Sequence, residues 1–386
     1  MDFTHPAEIS SCLCRAKIMH RRTFIQRALL LAGAGNAWQP PHAAAFTYAP
    51  VTPNAALQFP RDYGAHPDHR IEWWYVTGWL DRTGANAPCG FQVTFFRVRT
   101  PRVAGAGSSR FTATQLLFAH VAVSDSRIGH ILHEERAARA GFGLAEAGTT
   151  DTDVLIRHWR LRREASGHYQ TTVQAKDFSL RLALQPTQPL LLQGRDGFSQ
   201  KGPSPENASY YYSEPHLNVS GELSVRGKRE TVTGTAWLDH EWSSSPMPAG
   251  AIGWDWLGLN LDDGGALMAF QLRGKPPSSP AVWSSAKWRH ADGSVLQPAR
   301  SAIAFAPTRH WRSPQGGHYP VETRLTVGER TLHLRPLFDA QELHAQIMGN
   351  TYWEGAVTAH EGDGANAKRV GRGYWELTGY GKPLRL

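Results

Sequence analysis

Cysteine is nearly absent from this chain of 386 residues, which carries it only at Cys12, Cys14 and Cys89. A disulfide-built scaffold is therefore excluded, and stability must come from a packed core. Long apolar runs are missing as well. None approaches the ~18 residues of a membrane-spanning helix, so stable membrane insertion is not expected. Charged residues make up only 19%, below the roughly 25% of ordinary soluble domains. No block of Lys and Arg stands out, which leaves nucleic-acid binding without its electrostatic footprint. There is no glycine-rich nucleotide loop, no CxxC pair and no G-x-S-x-G elbow, so no cofactor and no serine-hydrolase chemistry are expected. Stretches rich in Ala, Leu, Glu and Lys are scarce after residue 45, which argues against long helices.

What the chain has in quantity is aromatic and turn-forming: 14 Trp, 11 Tyr and 15 Phe beside 37 Gly and 25 Pro. Hydrophobic residues at 41% suffice for sizeable cores. Short alternating segments recur between turn residues, among them Glu72–Leu80, Phe91–Val98, Gln115–Val123, Trp254–Leu261, Ala266–Arg273 and Gly373–Tyr380. Many such strands at regular spacing predict an all-β fold of sandwich or barrel type.

The first 45 residues read differently. Arg21-Arg22 precede Thr23-Phe24-Ile25, a weak apolar run from Ala28 to Ala34, and small residues at Ala43 and Ala45. This layout predicts a twin-arginine signal peptide over residues 1–45, cleaved before Phe46, with Met19 as an alternative start and the periplasm as destination. Its loss would remove five basic and two acidic residues, lowering the formal charge from +8 to +5.

Two halves resemble each other. Trp74, Gly78 and Gly84 recur 180 residues later as Trp254, Gly258 and Gly264, and Trp237 and Trp242 recur 138 later as Trp375 and Tyr380. The repeat predicts two related β domains, 46–244 and 245–386, joined through the small, proline-containing stretch Ser243–Gly253.

Ionisable and aromatic groups concentrate in Trp237-Leu-Asp-His-Glu-Trp242 and Gly253-Trp-Asp-Trp256. Alternation along a strand puts His240 and Trp242 on one face with Asp239 and Glu241 on the other, and Trp254 and Trp256 opposite Asp255. An imidazole beside indoles could move a proton near a greasy ligand; it could equally be a structural histidine bonded to a carboxylate where two domains meet. In Ile71-Glu-Trp-Trp-Tyr75, Glu72 and Trp74 share a face. A carboxylate among indoles is costly to bury unpaired, so a partner such as Arg97 or a ligand group is predicted. Tyr212, in a run of three tyrosines, either borders a cavity mouth or caps a domain edge. Histidines are plentiful, but none is backed by three convergent ligands, and no metal is expected.

The segments HPDHRIEWWYVTGWL, FQVTFF, YYSEPHLNVSGEL, GTAWLDHEWSSS and GWDWLGLNLDDGGALMAFQLR resemble the lipocalin-like family that includes the carotenoid 1,2-hydratases (hydroxyneurosporene synthases), and above all its exported, AttH-like bacterial branch. The resemblance covers residues 55–386. It implies two lipocalin-like (calycin) antiparallel β-barrel domains, on a scaffold that serves more than one chemistry. It also implies hydration of an isoprenoid double bond, in which an acid protonates the alkene, rings steady the cation and a base guides water. Carried onto this chain, His240 and Trp242 match the family's histidine–aromatic motif, with Trp254 and Trp256 as cavity walls and Trp74, Glu72 and Tyr212 as further ligand contacts. The strand Ala266–Arg273 has no carboxylate, so the proton would come from Asp239, Glu241 or Asp255. Two readings stay open: an enzyme acting on an apolar, isoprenoid or lipid-like ligand, and a non-catalytic periplasmic carrier partnering an envelope transport system.

Overall fold

The structure, a computed structural model, describes residues 47–383 apart from Gly84, 102–112, 276–280, Met348, Asp363 and 365–366. The leader expected over residues 1–45 lies outside the described residues. From Phe46 onward the chain forms one compact unit. Among the described residues the regular structure is β apart from two short 3-10 turns, and no helix is long and apolar enough to cross a membrane.

The first sheet begins with β1 (Ile71–Arg82), β2 (Ala85–Arg99), β3 (Gln115–Asp125) and β4 (Ile131–Arg139). Short strands follow: β5 (Ala145–Ala147), β6 (Asp153–Ile156), β7 (Trp159–Arg163), β8 (Tyr169–Gln174), β9 (Phe178–Gln185), β10 (Leu191–Leu192) and β11 (Phe198–Gln200). Two long strands, β12 (Ala208–Val225) and β13 (Lys228–Ser243), complete it. The second sheet holds β14 (Ala251–Leu261), β15 (Ala266–Gly274), β16 (Trp283–Arg289), β17 (Val295–Leu296) and β18 (Ile303–Arg312). It ends with β19 (His318–Val327), β20 (Arg330–Pro336), β21 (Glu342–Ala345), β22 (Asn350–Glu361) and β23 (Lys368–Leu377).

All pairings are antiparallel, and each sheet wraps its own core as a lipocalin-like barrel. The expected repeat is visible in the topology. The last strand of each sheet returns to pair with its first, giving β3-β2-β1-β13-β12 in one and β16-β15-β14-β23-β22 in the other. Gly78 lies opposite Ala236, and Gly258 opposite Tyr374, so the cross-strand register follows the sequence offsets of 180 and 138. The faces do not. Trp74, Val76 and Leu80 point into the first barrel, whereas Trp254 and Trp256 point away from the second, whose core takes Leu257, Leu259 and Leu261. Residues that look alike in sequence therefore face opposite ways. The places facing the third core are filled by Tyr75 opposite Asp239 in one sheet and Trp256 opposite Glu376 in the other, an odd number of residues away from the sequence repeat. A one-residue slip exchanges the faces of a strand, and the aromatic repeat does not register it.

Between the sheets lies a third core, built from the outward faces of β1, β13, β14, β15 and β23, with Tyr75, Trp79, Trp237, Trp256, Phe270 and Tyr374 at its centre. It is tied by Trp79 Nε1–H donating to Gly373 O (2.9 Å), Trp256 Nε1–H to Tyr211 Oη (3.0 Å) and Asn260 Nδ2–H to Ala236 O (3.1 Å). Close packing needs Gly90 here: a Cβ on it would come within 2.4 Å of the Tyr374 hydroxyl and 2.7 Å of Ala356 Cβ. The stretch between β13 and β14 is not a free linker. Pro246 and Pro248 are buried, and only Ala249 and Gly250 are exposed.

Candidate functional site

The residues expected to carry chemistry divide between two places, because alternate positions of β1 and β13 face opposite sides of the same wall. Inside the first barrel, Glu72 is fully buried at the centre of a hydrogen-bond network. Its Oε2 accepts from Arg97 Nε (2.7 Å) and the His66 backbone N–H (2.9 Å). Its Oε1 lies 2.7 Å from His66 Nδ1 and 2.9 Å from His240 Nε2. The predicted Arg97 partner is thus present. Burial alone would raise the Glu72 pKa, but the Arg97 cation and the bonds from His240 and His66 outweigh it and hold the carboxyl well below its usual range.

His240 is fully buried, stacked on Trp74 (ring centroids 4.7 Å) and tilted against Trp242 (4.9 Å). Burial pushes its pKa down to about 4, against the pull of Glu72. The neutral ring donates from Nε2 to Glu72 and accepts at Nδ1 from the Tyr212 hydroxyl (3.1 Å). His240, Trp242, Trp74, Glu72 and Tyr212 are therefore brought together, each 1% exposed or less. One nitrogen or oxygen from each of His66, Glu72 and His240 lies within 4.8 Å of the others, a spacing a metal ion could use. Those atoms already bond one another, and Arg97 presses its cation on the same carboxylate. The donor set suits a hydrogen-bond network better than a coordination sphere.

The other face of the wall lines an open cleft of about 1080 Å³ between the two sheets. Trp73, Tyr75, Trp254, Trp256 and Phe270 give it aromatic walls, and Pro246 and Met247 of the connecting stretch contribute to its rim. The expectation that Trp254 and Trp256 enclose the cavity into which His240 projects is not met. These indoles share the cleft with Asp239 and Glu241 instead, because alternation sends His240 and Trp242 into the barrel. Asp255 joins neither group: it faces away from the cleft, held by Arg273 Nε (2.9 Å) and Gln271 Nε2 (2.6 Å).

Four carboxyl groups line this cleft. Asp239 accepts from Ser213 Oγ (2.5 Å), Tyr211 Oη (2.6 Å) and Trp237 Nε1 (2.6 Å), yet burial raises its pKa to about 7. Glu241 is bonded by Ser209 Oγ and by Lys201 Nζ (2.9 Å). The remaining two, Glu354 on β22 and Glu376 on β23, are direct cross-strand neighbours and were missed in the sequence reading. Burial raises Glu376 to about 7, opposed by a bond from Trp254 Nε1 (2.9 Å) and helped by the charges of Asp239 and Glu241. Burial and the charge of Glu376 lift Glu354 well above the carboxylate range. Two carboxyls this close share a proton near neutral pH and titrate as one dyad. The available signal was the Trp–Glu dipeptide, which occurs as Trp353-Glu354 and again as Trp375-Glu376.

Fold and site together define a protein of two lipocalin-like barrels that enclose, between rather than within them, an aromatic cleft with carboxyls whose pKa burial raises. The chain belongs to the AttH-like family, whose model matches residues 50–380. It is similar to the crystal structure of a protein assigned to AttH from Nitrosomonas europaea, with 49% identity and a TM-score of 0.79 over 86% of this chain and 99% of that one. The kievitone hydratase of Nectria haematococca shares the fold at 15% identity, with a TM-score of 0.64 over 88% of this chain and 98% of that one. No functionally curated protein matches this chain in sequence.

Proposed function

We propose that this protein takes a neutral, apolar molecule with a carbon–carbon double bond, isoprenoid or lipid-like, into the inter-barrel cleft and hydrates or isomerises it by proton transfer. The observation that carries the reading is the Glu354–Glu376 dyad, which holds a proton at neutral pH against a wall of indoles. A carboxylic acid of this kind can protonate an alkene carbon, and the electron-rich faces of Trp73, Trp254 and Trp256 steady the resulting cation. Water then adds to the cation and gives its proton to the dyad carboxylate, so that one water is consumed and the dyad regains its starting state. Loss of a proton from the neighbouring carbon instead would yield the shifted double bond. Asp239, also proton-bearing near neutrality, is a second acid on the same cleft. The network around His240 supports the wall from behind.

The test is turnover in water enriched in heavy oxygen, with isoprenoid alkenes and their alcohols as substrates. Glu376→Gln and Glu354→Gln should each lower the rate by ~10²–10⁴, the range typical of removing an acid–base group. Ligand that co-purifies and binds the cleft without turnover would instead favour the non-catalytic carrier.

A further inference from the structure

From the dyad, a chain of titratable side chains leads toward the protein surface. Glu354 and Tyr352 lie two residues apart on β22, and their side chains are hydrogen-bonded. The Tyr352 hydroxyl also lies 2.6 Å from His120 Nδ1, on β3 of the other sheet. On the far side of that ring, His120 Nε2 stands 3.8 Å from Glu135 Oε2. Neither of these two atoms has a hydrogen-bond partner among the described residues, and one water reaches both across such a gap. Glu135 sits opposite His120 on β4, its side chain 15% exposed and its other oxygen accepting from the Ile347 backbone N–H (2.9 Å). The chain thus joins a buried glutamate to one that meets solvent, through two rings that are themselves buried.

Each member suits proton transfer. Burial, helped by His133, pushes the His120 pKa down to about 4, so the ring is neutral, with one nitrogen carrying hydrogen and the other accepting. Burial and the charges of Glu354 and Glu376 keep Tyr352 a phenol. β2 faces His120 with Thr94 and Phe96, neither titratable, and β4 adds His133 beside Glu135, with His344 of β21 near His133. The phenol hydrogen therefore has two acceptors, His120 Nδ1 and Glu354. It turns to His120 when Glu354 is protonated and to Glu354 when that carboxyl is ionised, and in the second case Nδ1 carries the ring hydrogen. A proton arriving at Nε2 moves the Nδ1 hydrogen to the Tyr352 oxygen and the phenol hydrogen to Glu354. One bond to hydrogen forms for each that breaks, and neither ring is left charged. We propose that Tyr352 and His120 form a proton relay between Glu135 at the surface and the Glu354–Glu376 dyad, which lets bulk water set the dyad's proton while an apolar ligand fills the cleft. The proposal deepens the functional reading above and rests on its choice of the dyad as the acid, but not on turnover.

The test reads His120 by NMR of protein labelled with heavy nitrogen in its histidines, its signals assigned by their loss in His120→Gln. Infrared spectroscopy follows the carboxylic acid band that Glu354→Gln removes. As the dyad loses its proton, the hydrogen on His120 should move from Nε2 to Nδ1 with no imidazolium between, and Glu354→Gln should abolish that move. After a rapid drop in pH, the Glu354 band should return about tenfold or more slowly in His120→Phe, a fraction of what a positioned proton-transfer group contributes because the cleft side leaks protons. Glu135→Gln, at the surface, should slow the return as well and serves if His120→Phe folds poorly. A tautomer indifferent to the dyad's titration, or return rates unchanged in both variants, would overturn the proposal. Absence of turnover, with the tautomer switch and the slowed return intact, would count against the hydratase reading and leave the relay standing. Turnover with a fixed tautomer would do the reverse.

Discussion

His240 and Glu376 stand at the two extremes of what burial does to an ionisable side chain. Burial keeps the first uncharged by stripping a proton, and keeps the second uncharged by retaining one. Replacing His240 by Ala removes a ring packed between Trp74 and Trp242 and strands the Tyr212 hydroxyl. It should cost about 3 kcal/mol in urea denaturation, the scale of a core cavity plus an orphaned polar group. Ligand affinity in the folded protein should stay within about twofold; a large loss of affinity with unchanged stability would reassign His240 to the site. Glu376 leads to a pH effect. Its folded pKa of about 7 exceeds the ordinary 4.5, so the folded state binds the proton more tightly. The stability this group contributes is fully present below about pH 4.5 and is lost as pH rises through 7, at no more than ~1.4 kcal/mol per pH unit. Glu376→Gln removes that dependence while keeping an acceptor for Trp254. Relative to wild type, the melting temperature of the variant should therefore rise between pH 5 and pH 8. A difference that is flat with pH would mean that Glu376 is ionised throughout.

At the scale of strands, period-two alternation carried most of what could be read in advance. It separated His240 and Trp242 from Asp239 and Glu241 and Asp255 from its flanking indoles, while the cost of burying an unpaired carboxylate pointed from Glu72 to a partner such as Arg97. It did not say which side of each strand would be barrel and which cleft, because both faces of β1 and β13 are buried and both carry aromatic residues. A strand with one wet face declares its orientation; one with two dry faces does not. The same ambiguity hid the exchange of faces between the halves. Glu354 and Glu376 escaped for a different reason. Each is an ordinary glutamate after a tryptophan until β22 and β23 pair, and pairing between distant segments leaves no local mark. The all-β class and the two-barrel build were legible, since repeated short strands, turn residues and family motifs all agree there.

On the scale of the whole chain, the twin-arginine leader remains a proposal about destination. Exchanging Arg21 and Arg22 for Lys should leave precursor in the cytoplasm, and the exported protein should begin near Phe46 by N-terminal sequencing; exported, folded protein that retains residues 1–45 would refute it. Passage in a folded state suits a molecule whose two sheets share a third core and whose buried Cys89, with a thiol pushed up to about 12 by burial, offers no ready disulfide chemistry. The shared wall has a genetic consequence as well. Substitutions at Ile71, Trp73 and Tyr75 of β1 and at Asp239 and Glu241 of β13 retune the cleft while the barrel keeps its contents, so the ligand site can drift one codon at a time. Gain or loss of a single codon midway along either strand would carry barrel residues into the cleft and cleft residues into the barrel. Length variation among descendants of this gene should therefore collect in the turns and spare these two strands.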